Sequence, residues 1–154
     1  MSPTFPQADK VLNEINDMIP KDKGLRKSIN NVKRNIKFTN GSEIRIFSAE
    51  QGDNLRGYTS NLLICDESAY ISDKILDLVF PYVNVSRGPI LLFSTPRATA
   101  GNFYTYYKMG MEHQPSIFSY DWSIEDVSAL LPPEKLELYK KTMDPLAYKT
   151  DYLG

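Results

Sequence analysis

The chain has 154 residues, of which 42% are hydrophobic and 24% charged, and its formal net charge is −1. This composition is typical of a globular domain that can bury a core, and it excludes a general electrostatic attraction to nucleic acid. With one cysteine, Cys65, and one histidine, His113, the chain cannot assemble a disulfide, a Cys/His zinc site or a Cys–His nucleophile pair. The absence of a signal peptide and of an apolar stretch near 18 residues predicts a cytoplasmic protein that does not cross a membrane.

The first fifty residues predict a helix, a basic segment and a β-hairpin. Residues 2–19 begin extended and become helical near Pro6, and the helix carries one apolar stripe: Ala8, Val11, Leu12, Ile15 and Ile19. The basic segment, residues 21–37, is either a solvated surface or a local patch for nucleic acid. The candidate contacts in that patch are Lys21, Lys23, Arg26, Lys27, Lys33 and Arg34. Residues 35–48 predict a hairpin, because hydrophobic residues alternate on both sides of Asn40-Gly41, a favoured type I′ turn pair.

The remaining segments alternate between strands and helices. A polar loop (49–59) is followed by a buried strand (61–65), and a helix with Ser72 as its N-cap covers 72–83. A second buried strand lies within 88–96, a helix within 101–112 and a third strand within 115–123. Two short helices that begin at prolines complete the chain, at 132–143 and 144–154. We expect a single domain, residues 1–154, with its core in about 1–122 and a helical segment in 123–154.

Polar residues follow both predicted core strands. Two continuous apolar strands separated by a helix predict a right-handed crossover and a parallel pair, and therefore an α/β sheet with helices on its faces. Ligands of such sheets bind beyond the carboxyl ends of the strands. Asp66 and Glu67 follow the first strand, and Ser94 and Thr95 end the second, so we expect these four residues to converge on a site.

The types of these residues suit phosphate chemistry. Asp66 could hold Mg²⁺ through water, and Glu67 could orient or deprotonate an attacking water, as in a Walker B pattern followed by a catalytic glutamate. Ser94 and Thr95 could bond a γ-phosphate, and Arg56 on its glycine-flanked loop could neutralise charge on phosphoryl oxygens. The alternatives are that the acids cap a turn, that the hydroxyls satisfy backbone groups and that Arg56 is an ordinary loop arginine.

Three segments together resemble a known family. "PTFPQADKVLNEI", "NGSEIRIFSAEQGDNLRGYTSNLLICDESAYI" and "GPILLFSTPRATAGNFYTYY" resemble, in order and spacing, the ATPase domain of the large subunit of tailed-phage terminases. The resemblance covers about residues 3–108, with a weaker match in "DPLAYKTDYLG". It implies an incomplete P-loop NTPase (ASCE) fold, with a mostly parallel sheet flanked by helices and a hairpin at about 35–48.

The resemblance also implies roles for the candidate residues. Asp66 is similar to the Walker B aspartate, Glu67 to the catalytic glutamate, and Ser94-Thr95 to the start of the coupling motif that links hydrolysis to domain movement. Arg56 is similar to the arginine that reaches the nucleotide of a neighbouring subunit in a ring. The implied cofactors of the full-length protein are ATP and Mg²⁺. Its implied partners are double-stranded DNA, the portal and procapsid, the small terminase subunit and further copies of itself, inside an infected or lysogenic host cell.

One motif of the family is missing from this sequence. The phosphate-binding pattern G-x-x-x-x-G-K-[ST] does not occur, nor does an acidic cluster suited to a two-metal nuclease. We therefore expect a fragment that hydrolyses ATP only within the full-length motor, with no tight ATP or Mg²⁺ binding of its own. The second core strand should then have an open edge, which residues 115–122 could cover or through which two chains could dimerise. The alternatives are a non-enzymatic remnant that binds DNA or protein and, less favoured by these motifs, a helicase-like DNA translocase.

Overall fold

A computed structural model describes residues 1–20, 24–95, 99–123 and 132–149 of the chain. The chain divides into two compact units, residues 1–93 and residues 94–154, and each is described here by itself. Lys21, Lys23, Pro96 and the last five residues of the second predicted C-terminal helix lie outside the described residues. No helix within the described ranges has both the length and the apolar character needed to span a membrane.

The first unit begins with the predicted amphipathic helix. Helix α1, Phe5–Met18, has Thr4 as its N-cap, and Thr4 and Gln7 form a capping box that satisfies backbone N–H groups of the first turn. On the buried face of α1, Ala8 and Leu12 pack against hydrophobic residues of the hairpin that follows. The predicted helix and its apolar stripe are therefore confirmed.

An antiparallel sheet of three strands follows α1. Strands β1 (Arg26–Asn30), β2 (Asn35–Phe38) and β3 (Glu43–Arg45) pair in the order β1-β2-β3. The predicted hairpin corresponds to β2 and β3, whose central pair is Ile36 with Ile44. β1 was not predicted, because its sequence RKSIN contains one large hydrophobic residue, Ile29, and that residue pairs with Ile36 across the sheet.

The turn between β2 and β3 differs from the predicted type. A type I′ turn requires positive φ at both Asn40 and Gly41, but φ is positive only at Gly41, where it is +88°. The amide of Gly41 donates to the carbonyl of Phe38, and the amide of Phe38 donates to the carbonyl of Ser42. The loop therefore has three residues, Thr39 to Gly41, and the glycine occupies the left-handed position of a bulge that follows a tight turn.

The two predicted core strands pair in parallel. Strand β4, Leu63–Cys65, lies beside β5, Ile90–Leu92, and helix α2, Asp73–Val79, lies between them in sequence. Ser72 is the N-cap of α2, as predicted, and the helix continues as a 3₁₀ segment, Phe80–Val83, whose first turn contains Pro81. Together with helix α1 and the hairpin, this parallel pair confirms the α/β fold class that the sequence predicted.

A close backbone contact precedes β5. A Cβ atom on Gly88 would lie 2.1 Å from the carbonyl oxygen of Asn61, so no other residue fits there without a backbone shift. The glycine therefore allows the chain that enters β5 to pass directly against the chain that enters β4.

One face of the parallel pair is exposed, which the prediction of buried strands did not anticipate. Leu63 and Cys65 point into the main core with α2, and they are 6% and 0% exposed. On the opposite face, Ile64 and Leu91 are 44% and 40% exposed. Leu62 and Phe93 extend this face and are similarly exposed. The predicted burial of β4 and β5 is thus correct for one face and wrong for the other.

The start of the chain lies along the other side of β4. The amino group of Met1 donates to the carbonyl of Ile64, and the amide of Asp66 donates to the carbonyl of Met1, as in a parallel pair. Ser2 then forms a parallel bridge with Ser48, beyond β3. Residues 1 and 2 therefore connect the β4–β5 pair to the segment that follows the antiparallel sheet.

The second unit contains three helices in its described part. These are α3 (Asn102–Met111), α4 (Pro133–Thr142) and α5 (Pro145–Tyr148), in agreement with the predicted helical segments. The predicted strand in 115–123 is wrong, because none of these residues is in a strand. A Cβ atom on Gly110 would lie 2.1 Å from the Ser119 hydroxyl oxygen, so this segment passes directly over the end of α3. Its aromatic residues, Phe118, Tyr120 and Trp122, remain exposed.

Candidate functional site

Asp66 and Glu67 lie directly after β4, where the sequence predicted a site. Both residues are half-buried, and the backbone amide of Asp66 is bonded to Met1. Glu67 has φ +50° and ψ +45°, the left-handed region that residues other than glycine rarely adopt. The chain then turns into a 3₁₀ segment, Ser68–Tyr70, for which Glu67 is the N-cap. The two acids thus lie on a sharp turn at the carboxyl end of a core strand.

Ser68 connects this acidic turn to the end of β5. The side chain of Ser68 is completely buried, and its hydroxyl donates to the carbonyl oxygen of Phe93 at 3.0 Å. The backbone amide of Ser68 donates to the same oxygen at 2.9 Å. In return, the amide of Phe93 donates to the carbonyl of Cys65 at 2.9 Å. The turn after β4 and the last residue of β5 are therefore held together by three hydrogen bonds.

Ser94 and Thr95 follow Phe93 and begin the second unit. Both residues are half-buried. The parallel register pairs Cys65 with Leu92, so the chain leaves β4 and β5 at the same edge of the sheet. The convergence of their side chains with Asp66 and Glu67 stays a prediction.

Arg56 lies on the first unit at the end of a short helical segment. Residues 49–59 were predicted to be a polar loop, but Ala49–Leu55 form a 3₁₀ segment that is capped by Ser48 and interrupted at Gly52. Leu55 is completely buried, whereas the Arg56 side chain is 71% exposed and lies 3.5 Å from Asp53. An exposed arginine on a buried anchor is held at its base, and its guanidinium can reach outward.

A buried tyrosine fixes the backbone before Arg56. The hydroxyl of Tyr82 donates to the carbonyl oxygen of Leu55, which belongs to the peptide group that joins Leu55 to Arg56. Burial raises the pKa of Tyr82 to about 12, so the hydroxyl remains a donor at neutral pH. The rings of Tyr82, Phe47 and Tyr58 pack in one aromatic cluster beneath this segment.

The candidate nucleic-acid residues are distributed over several environments. Lys33 is exposed in the turn between β1 and β2. Arg34 instead bonds Asp9 of α1 at 2.6 Å, and its guanidinium lies 4.7 Å from the centre of the Phe5 ring. Arg34 therefore links the hairpin to α1. Arg26 and Lys27 belong to β1.

The described residues contain no group of three or more Asp, Glu, His or Cys side chains suited to a metal ion. Such a group is not required for a magnesium–nucleotide complex, because Mg²⁺ keeps several waters and is held by one or two carboxylates together with substrate phosphates. Asp66, with Glu67 beside it, is a donor set of this kind. The chemistry of the site therefore fits Mg²⁺ bound together with a nucleotide.

Cys65 gives the core beneath the acidic turn a pH-dependent stability. Burial raises the pKa of its thiol to about 11, from a usual value of 9.0. Since the unfolded chain ionises first, we expect the free energy of unfolding to fall between about pH 9 and pH 11, by roughly 2–3 kcal/mol for two pKa units. Urea unfolding of wild type and Cys65→Ala between pH 8 and pH 11 tests this. Their difference should shrink as pH rises, and a constant difference would contradict the prediction.

Sequence reasoning missed Ser68 and Tyr82. Ser68 was passed over because a serine after two acids looks like an ordinary loop residue. Tyr82 was assigned only to a helix. A weak signal for each was its position on a short segment of otherwise apolar residues, where a buried hydroxyl must find a hydrogen-bond acceptor.

Comparison with known proteins gives the chain its relatives. Over 70 residues, 45% of this chain, the sequence is 39% identical to the large terminase subunits of Thermus phage G20c and Thermus virus P23-45. The match covers 14% of the length of each of these relatives, so the chain spans only a small part of them. No protein-family model matches the sequence.

Solved structures of phage terminases share the fold. A point mutant of the ATPase domain of the Thermus phage P74-26 large terminase matches with a TM-score of 0.78 at 21% identity, over 98% of this chain and 73% of that chain. The large terminase of a second thermophilic bacteriophage matches with a TM-score of 0.78 at 15% identity, over 96% of this chain and 37% of that chain. This chain is therefore a relative of phage terminase large subunits, and it has the α/β fold of their ATPase domain.

Proposed function

We propose that this chain is part of an ATP-hydrolysing motor that packages viral or prophage DNA, and that it carries the residues that act on water and phosphate. The observation that supports this most is the position of Asp66 and Glu67. They follow a core strand that is paired in parallel with the strand leading into Ser94 and Thr95, in a chain related to terminase large subunits. Ligands of α/β sheets bind at this edge.

The proposed roles follow from the chemistry of each side chain. Asp66 holds Mg²⁺ through water, and the ion neutralises charge on the phosphates when it is bound with ATP. Glu67 accepts a proton from, or orients, the attacking water. Ser94 and Thr95 bond the γ-phosphate and respond to its loss, so they couple hydrolysis to movement.

Arg56 is proposed to act on a neighbouring copy of the protein. Its exposure and its fixed backbone suit a guanidinium that extends across a subunit boundary to phosphoryl oxygens. The motor is therefore proposed to be a ring of identical subunits. Double-stranded DNA, the procapsid with its portal, and a small terminase subunit are its proposed partners.

The exposed face of the β4–β5 pair supports an incomplete site in this chain. Parallel sheets are normally covered on both faces, yet Ile64 and Leu91 are exposed, and the chain covers 73% of the P74-26 ATPase domain. The sequence also has no glycine-rich loop with a lysine to hold the β- and γ-phosphates. We propose that additional sequence supplies both the covering layer and the phosphate-binding loop.

Nucleotide binding tests this proposal. We define the extended protein as this chain together with the coding sequence that precedes it in its genome. Titration with Mg-ATP should show binding by the extended protein and no measurable binding by the 154-residue chain alone. If neither binds Mg-ATP, the proposal is wrong, and a non-enzymatic module that binds DNA or protein becomes the better account.

A further inference from the structure

The end of β5 has one carbonyl group that is held unusually firmly. The carbonyl oxygen of Phe93 accepts hydrogen bonds from both the hydroxyl and the backbone amide of Ser68. This carbonyl belongs to the peptide group that joins Phe93 to Ser94. Two donors from one buried residue restrict rotation of that peptide plane more than a single bond would.

The residue that holds this peptide group is also adjacent to Glu67. Ser68 follows Glu67 directly, and Glu67 is in the left-handed backbone conformation. Because the Ser68 amide and hydroxyl are both bonded to Phe93, they fix the backbone that comes after Glu67. One buried side chain thus contacts the backbone on both sides of the proposed chemistry: it follows the water-activating acid and holds the residue before Ser94.

We infer that Ser68 is a positioning residue that sets the Glu67 carboxylate and the Phe93–Ser94 peptide group relative to each other for ATP hydrolysis. This inference rests on the proposed function. Ser68 does not contact the nucleotide; it acts through the backbone of its neighbours. Its loss therefore impairs the chemical step and leaves the binding of nucleotide unchanged.

The main test is the steady-state kinetics of Ser68→Ala in the extended protein. Misplacement of a reacting group by a fraction of an ångström lowers the rate of the chemical step, so kcat should fall on the order of ten- to a hundredfold while KM for ATP stays within about twofold. Ser68→Thr keeps a hydroxyl and should recover most of the rate. If its extra methyl group prevents folding, Ser68→Cys, a weaker donor, should give an intermediate kcat.

Ser86→Ala is the matched control. The Ser86 hydroxyl also donates to backbone carbonyls, those of Ser60 and Val83, but it lies before β5 and away from the acidic turn. Its removal should leave kcat unchanged. If Ser68→Ala and Ser86→Ala have the same kcat as wild type, or if both lose the same fraction of it, the positioning role is wrong.

A second measurement does not depend on activity. In the 154-residue chain, the carbonyl carbon resonance of Phe93 should shift in Ser68→Ala and stay in place in Ser86→Ala, because only the first change removes a bond to that oxygen. Absence of the shift would overturn the structural basis of the inference. Failure of the wild-type extended protein to hydrolyse ATP would instead overturn the proposed function, so the two failures are distinguishable.

Discussion

Glu67→Gln in the extended protein should reduce ATP turnover by roughly a hundred- to ten-thousandfold, while ATP still binds. Glutamine has nearly the same shape as glutamate, so it fits the turn, but its amide cannot accept a proton from water. The left-handed backbone at this position is equally available to both residues, so the substitution changes the chemistry and not the fold. Phosphate release and nucleotide titration on the same preparation separate the two effects.

Glu50→Gln is the control for this substitution. Glu50 also belongs to the first unit, and its carboxylate accepts from the backbone amide of Phe5 at the start of α1. Its loss should cost some stability, since a carboxylate near a helix N-terminus is favourable, and leave turnover intact. If Glu67→Gln hydrolyses ATP at the wild-type rate, Glu67 is not the residue that activates water.

Arg56→Ala should abolish most of the turnover of the assembled motor and leave that of isolated subunits unchanged. An arginine that stabilises charge in phosphoryl transfer contributes on the order of 10³- to 10⁵-fold. The Arg56 side chain is 71% exposed, and its ion pair with Asp53 is a weak exposed contact at 3.5 Å, so the substitution should cost little stability. Hydrolysis rates measured as a function of protein concentration would reveal the dependence on assembly.

Two further variants decide between a transferred charge and a structural arginine. Arg56→Lys keeps the charge but loses the planar fork, so it should recover only a small part of the rate. Arg45→Ala removes an arginine from the same unit, one that pairs with Glu43 at 3.0 Å, and should leave assembled activity unchanged. Normal activity of assembled Arg56→Ala would show that Arg56 is an ordinary loop arginine.

The elements that were predicted correctly are those with a strong local pattern. The apolar stripe of α1 repeats with a helical period, and the alternation around Asn40-Gly41 indicates a hairpin, so these elements follow from local sequence. Even there, the turn type was wrong, because the strands on either side determine whether the loop has two residues or three. β1 was missed because a single isoleucine among polar residues gives no alternation to detect, and its pairing with β2 depends on contacts across the sheet.

The exposed face of β4 and β5 shows a second limit of local sequence. Leucine and isoleucine on both sides of a strand indicate burial on both faces, but they do not tell what covers each face. The structure shows that α2 covers one of them. In the same way, the position of Asp66 and Glu67 after β4 was predictable from the run of apolar residues. The hydrogen bonds from Ser68 to Phe93 were not, because they join residues 25 positions apart.

The most direct test of the central proposal is ATP hydrolysis by the extended protein beside the 154-residue chain, both with Mg²⁺ and double-stranded DNA. We predict phosphate release by the extended protein only, because the chain provides the water-activating and coupling residues and the additional sequence provides the phosphate-binding loop. Hydrolysis by the 154-residue chain alone, or by neither protein, would contradict the proposal that this chain is one part of a terminase ATPase.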